Sequence, residues 1–222
     1  MPIKFYSDSG SGSCRRVSAV IETLGIEVET IFIDLLNGGN RTEEFLKINP
    51  TGMLPVIVIE DKVRGDRVLS EAAAIMIYLC ERSENSDLIP EAYRLEVLQW
   101  MFWAAEHFRQ AAPIYFEENV IALLMGKAID ATRLDEADRR MAIHASYLNE
   151  HLKDRQFVVG EQLTLADFDL AAALSQMPRS GVPFDQYEHI IAWSDRLEAT
   201  IPAWRVTGET LQRRMNAALV SS

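Results

Sequence analysis

The sequence predicts a chain of two parts: an α/β domain over residues 1–83 and an all-α helical bundle over residues 91–222, joined by a linker at 84–90. Short apolar runs with strand alternation and stretches with helical spacing follow one another as far as Ser83. From Ala92 onward only helical periods occur, and no run has strand character. Between them, Ser83 to Pro90 is polar and carries no periodicity.

Bulk properties narrow the function. With 222 residues, 48% of them hydrophobic, the chain can build real cores. A formal net charge of -11 argues against nucleic acid and anionic membrane surfaces as partners. No apolar run is long enough to span a bilayer, and no basic-then-apolar leader opens the chain. Two cysteines, Cys14 and Cys80, are too few for a disulfide framework, so a cytoplasmic protein is expected. The four histidines show no ligand spacing, and no metal is expected.

Ile3 and Phe5 alternate with polar neighbours as in a half-buried strand. The stretch from Tyr6 to Val17 reads as the end of that strand, a flexible turn and the opening of a helix, in which Val17, Val20, Ile21 and Leu24 recur with helical spacing up to a stop at Gly25. The start of that helix offers free N–H groups and the positive end of its dipole to an anion. Ser11, Ser13 and Cys14 are packed there, either as site residues or as plain loop and cap residues. Val28 to Ile33 reads as a strand buried on both faces, parallel to the first because a helix connects them. Thr42 caps a short helix over residues 42–46. Pro55 precedes the strand Val56–Ile59, where a cis X-Pro bond can turn a backbone edge towards a ligand. After a polar turn and the run Arg67-Val68-Leu69, Ser70 is a plausible cap for a helix through Leu79, whose start is a second anion site.

In the second half, Tyr93, Val97, Trp100, Met101, Ala104 and Phe108 make one face of a long helix interrupted at Pro113. Ala137 to Leu152 forms another. Thr164 and Asp167 read as a capping box opening an apolar helix, Phe168 to Leu174, that should be the buried spine. Two amphipathic helices follow, one on Ile190, Ile191, Trp193 and Leu197, the other on Trp204, Leu211, Met215 and Leu219.

Three motifs then occur together: Asn49-Pro50-x-Gly52-x-x-Pro55-Val56, Ser70-Glu71-x-x-Ala74-Ile75-x-x-Tyr78-Leu79, and Gly160-x-x-Leu163-Thr164-x-Ala166-Asp167. In this order and spacing the chain closely resembles the soluble glutathione transferases, of the bacterial, theta- or beta-like kind, over nearly its whole length. The resemblance implies a thioredoxin-like N-terminal domain, a helical C-terminal domain and a two-fold homodimer. It places Ser11 where theta-like classes keep a catalytic serine, followed by Cys14-Arg15. Beta-like classes carry a reactive cysteine in that region. Glutathione, the implied co-substrate, would meet the backbone of Leu54, held by a cis Pro55. Glu71 would face its γ-glutamyl group and the Ala72 N–H its carboxylate. Ala72 departs from the family's usual serine. Asn40 stands where theta-like members often have histidine, and Arg109 where beta-like members have lysine.

The implied chemistry is transfer of glutathione to a small hydrophobic electrophile. A thiol of pKa near 8.5 must become a thiolate, and a hydroxyl donor at a helix start favours S⁻ over SH. Ser11 would be that donor and not a nucleophile. Tyr115, Phe116, Phe108 and Arg109 either line the cleft or belong to the core. Two other readings stay open. One is glutathione-dependent disulfide or peroxide reduction, with Cys14 forming a mixed disulfide; the other is a fold-sharing binding protein without catalysis.

Overall fold

The computed structural model describes residues 1–83 and 87–220, the side chains of 219 and 220 excepted. Part of the expected linker, 84–86, and the Leu219 side chain thus lie outside the described residues.

Strand β1 (Ile3–Ser7) alternates buried and half-buried residues, with Ile3 and Phe5 facing the core. It pairs in parallel with β2 (Glu29–Phe32) and antiparallel with β3 (Val56–Ile59), which pairs antiparallel with β4 (Arg67–Ser70). The sheet order is β2-β1-β3-β4. Helices α1 (Gly12–Leu24), α2 (Glu43–Ile48) and α3 (Ala72–Arg82) complete this thioredoxin-like half. As expected, Thr42 caps α2 through Phe45 N, and Gly25 ends α1 at φ 62°.

Two local expectations need correction. β2 is not buried on both faces: it is the edge strand, with Glu29, Thr30 and Phe32 exposed, Phe32 by 55%. Among the described residues it pairs with β1 alone, at the outer position of the sheet. Helix α1 starts at Gly12 with Ser11 as its cap, so Ser11, Ser13 and Cys14 stand at the helix start as expected. Ser70 does not cap α3; it ends β4, and Glu71 occupies the cap position at φ 68°, without a side-chain capping bond.

The helical half runs α4 (Arg94–Glu106), α5 (Ala112–Phe116), α6 (Ala131–Leu152), α7 (Leu165–Ala171), α8 (Met177–Ser180), α9 (Glu188–Thr200) and α10 (Pro202–Val220). The long helix expected up to Pro113 ends already at Glu106, where His107 leaves helical angles. Pro113 instead sits in the first turn of α5, where a missing N–H costs nothing. Phe108, 1% exposed, packs on Trp103 and Phe184, and Tyr115 donates its hydroxyl to Asp138; both belong to the core. Helix α7 is buried at every residue and opens with the Thr164–Asp167 capping box.

Candidate active site

The sheet register decides where loops meet. Tyr6 stands opposite Val56, and Val56 opposite Ser70. The end of β1, the start of β3 and the end of β4 therefore share one edge of the sheet, where α1 and α3 both begin. Ser11, the Leu54–Pro55 bond and Glu71 are carried by these three adjacent connections.

The first connection is shaped by Asp8, which is 2% exposed. Its carbonyl accepts from Ser11 N at 3.0 Å, Oδ1 from Gly10 N at 2.8 Å, and Oδ2 from Leu35 N at 3.0 Å. Ser11 is half-buried, and its Oγ accepts from Cys14 N at 3.4 Å. A hydroxyl that accepts with a lone pair still has a proton to give. Ser13 follows, half-buried, in the first turn of α1.

Cys14 lies beneath this turn. It is 0% exposed and packs with Phe45, Leu54 and Val56. Burial pushes its thiol pKa up, against hydrogen bonds from the Asp8 backbone and the hydroxyls of Ser7 and Ser11. It therefore stays a screened thiol at neutral pH.

The second connection is braced from inside. Asn49 donates to Met53 O at 2.9 Å and accepts from Thr51, and Gly52 turns at φ 67°. Asn40 donates to Gly52 O at 2.7 Å, so one of its amide protons supports the loop. The Leu54–Pro55 peptide is cis. Among the described residues, the Leu54 N–H and C=O have no hydrogen-bond partner, although the side chain is 9% exposed.

The third connection delivers Glu71, exposed, and Ala72, 2% exposed, to the start of α3. With no capping side chain, the N–H groups of Ala72, Ala73 and Ala74 remain open to an anion.

From the helical half, Arg109 reaches Asp169 at 3.5 Å. Burial lowers its pKa to about 10, against the attraction of Asp169 and, more weakly, of Glu71. It thus remains charged and lies within the field of the α3 start. Asp169 is 0% exposed and also accepts from Arg16, whose side chain is 6% exposed. Arg15 reaches Glu198, Ser175 and the Trp204 carbonyl. Two consecutive arginines of α1 are thereby set into the helical half, contacts that sequence reasoning missed for both. The available signal was Asp169, a lone acid inside an apolar run.

Comparison with known proteins agrees with this geometry. Residues 10–82 match the family model for the glutathione S-transferase N-terminal domain, and residues 110–200 that for the glutathione S-transferase C-terminal domain. The chain is 32% identical to glutathione S-transferase 3 of Zea mays over 216 residues, covering 93% of each chain. It is 30% identical to glutathione S-transferase theta-2 of Homo sapiens over 208 residues, which is 91% of this chain and 83% of that one. The solved structure of human glutathione transferase theta-2, in complex with glutathione and an unknown ligand, is similar with a TM-score of 0.81 at 26% identity. That match covers 97% of this chain and 91% of the other.

Proposed function

The chain belongs to the glutathione S-transferase family, and from that premise we propose that it transfers glutathione to small hydrophobic electrophiles, with Ser11 holding the thiol as thiolate. The observation that carries this reading is the convergence of three donor and acceptor sets on one sheet edge, two of them without a partner among the described residues. They are the Ser11 hydroxyl, the unpaired backbone of Leu54 and the uncapped start of α3.

Glutathione is a short peptide with a carboxylate at each end. Its cysteinyl N–H and C=O match the Leu54 carbonyl and amide, as one strand matches another. Its γ-glutamyl carboxylate suits the open N–H groups at Ala72, with Glu71 taking the ammonium. Ala72 gives up a side-chain hydroxyl bond worth about 1 kcal/mol, but the backbone donor persists. The second amide proton of Asn40 serves the glycyl end. Held so, the thiol meets Ser11 and the start of α1, and loses its proton to solvent. The thiolate pair forms the new S–C bond while the electrophile's leaving group departs with its own electrons. Arg109 adds positive field beside the α3 start.

Ser11 followed by Cys14-Arg15 supports a theta-like class. Leu95 and Phe102 on α4, 78% and 65% exposed, supply apolar surface for a two-fold homodimer. Two buried cysteines that are not joined suit the reducing cytoplasm. Nothing favours a mixed disulfide at Cys14, since its sulfur is screened.

The test is turnover. Protein, glutathione and an activated aryl halide should release halide well above the uncatalysed rate. A folded protein that adds nothing to that rate contradicts the reading.

A further inference from the structure

The loop that carries Ser11 is held from the far end of the chain. Gln176 donates to Gly10 O at 2.6 Å. A Cβ at Gly10 would come within 2.9 Å of Met215 Sδ and 3.2 Å of Arg214 Cγ, so α10 lies directly on this loop. The Arg214 guanidinium lies 3.3 Å from Asp8 Oδ1 and 2.7 Å from Asp34 Oδ1. Asp34 has other support, from Leu36 N, Asn37 N and the Asn37 amide, and is 31% exposed. Asp8 differs: its side chain is 3% exposed, and Arg214 is the one cation that reaches it among the described residues.

We propose that Arg214 is a positioning residue for the thiolate site: it neutralises the buried carboxylate of Asp8, which shapes the Ser11 loop, so that a second anion can form there. The inference rests on the transferase reading. An uncompensated carboxylate beneath the loop opposes a thiolate above it, as any like charge in a poorly solvated place does. The charged or titratable groups around Asp8 are Arg214 from α10, Cys14 from α1 and, on the same guanidinium, Asp34 from the loop after β2; the field of Asp8 already acts to raise the Cys14 pKa. Arg214 also lies over the Phe32 ring at 5.3 Å, which keeps it on the loop side of α10. The step it assists is ionisation alone: the S–H bond breaks, the proton passes to solvent and the electron pair stays on sulfur.

The test is a pH titration of the ultraviolet thiolate absorbance of protein saturated with glutathione, alongside kcat and KM. Arg214→Met should raise the apparent thiol pKa by about one unit, a roughly tenfold loss of thiolate below that pKa. KM for glutathione should stay within about twofold, since Leu54 and the α3 start are untouched. Removing the opposing charge as well, in Asp8→Asn/Arg214→Met, should bring the pKa back towards the wild-type value. Arg214→Lys keeps one charge on a single ammonium and should give an intermediate pKa, which carries the test should the methionine variant not fold. An unchanged pKa in Arg214→Met or Arg214→Lys, or a rise in KM alone, overturns the inference. Absence of any thiolate signal in the wild-type protein is a different result, and it removes the transferase reading itself.

Discussion

The guanidinium of Arg15 lies 3.6 Å from the centre of the Trp204 ring, and it also donates to the Trp204 carbonyl at 2.9 Å. One side chain from the first helix thus stacks on, and bonds to, the last. Glu198 completes its charge balance and is 40% exposed. Losing the arginine therefore leaves a carboxylate that water can reach. Arg15→Met should lower the unfolding free energy by roughly 2 kcal/mol, from the lost stacking and hydrogen bonds, and not by the larger amount of a stranded buried charge. Urea unfolding followed by tryptophan fluorescence measures it. No change in midpoint would show that the two halves do not depend on this contact.

Asp167 is fully buried and accepts from Val158 N, Thr164 N, Thr164 Oγ1 and Trp193 Nε1. Burial raises its pKa to about 6 against those hydrogen bonds. Its native pKa thus exceeds the ordinary 3.8, so between these values the native state holds a proton that the unfolded state has released. The contribution is full below pH 3.8 and falls as pH rises to about 6. Asp167→Asn cannot accept from four donors and should be less stable throughout. Its deficit against wild type should widen by roughly 2 kcal/mol from pH 7 to pH 4, since one pKa unit is about 1.4 kcal/mol and the unfolded-state carboxyl is itself partly protonated at pH 4. A deficit that narrows on acidification means the four donors outweigh burial.

Cys14 should resist alkylation. Its thiol is 0% exposed and burial disfavours the thiolate. Mass spectrometry after brief iodoacetamide treatment at neutral pH should find Cys14 unmodified in the folded protein and modified after denaturation. Rapid native labelling would reopen disulfide chemistry at this position.

Much of this was legible in the sequence because it is local. The Thr164–Asp167 box, the Thr42 cap, the Gly25 stop and the α/β-then-helical order all follow from short-range spacing. The misreadings concern surroundings. The apolar run from Val28 does not say whether another strand lies beyond it, and β2 is an edge. Ser70 has the chemistry of a cap, but strand pairing with Val56 claims it and leaves Glu71 at the helix start. Asp8, Arg15, Arg16 and Arg214 act through partners up to 206 residues away, at distances no periodicity reveals.

In the transferase reading, Ser11 holds the glutathione thiol as an anion. The most direct measurement is the ultraviolet thiolate absorbance on adding glutathione at neutral pH, to wild type and to Ser11→Ala. A hydrogen bond to a charged group is worth about 1.5–3 kcal/mol, so the variant should bind glutathione with a thiol pKa raised by roughly one to two units. Its signal should largely vanish at neutral pH and return at alkaline pH. A thiolate signal of wild-type size in Ser11→Ala would contradict the account and move the role to Ser13 or to the backbone at the start of α1.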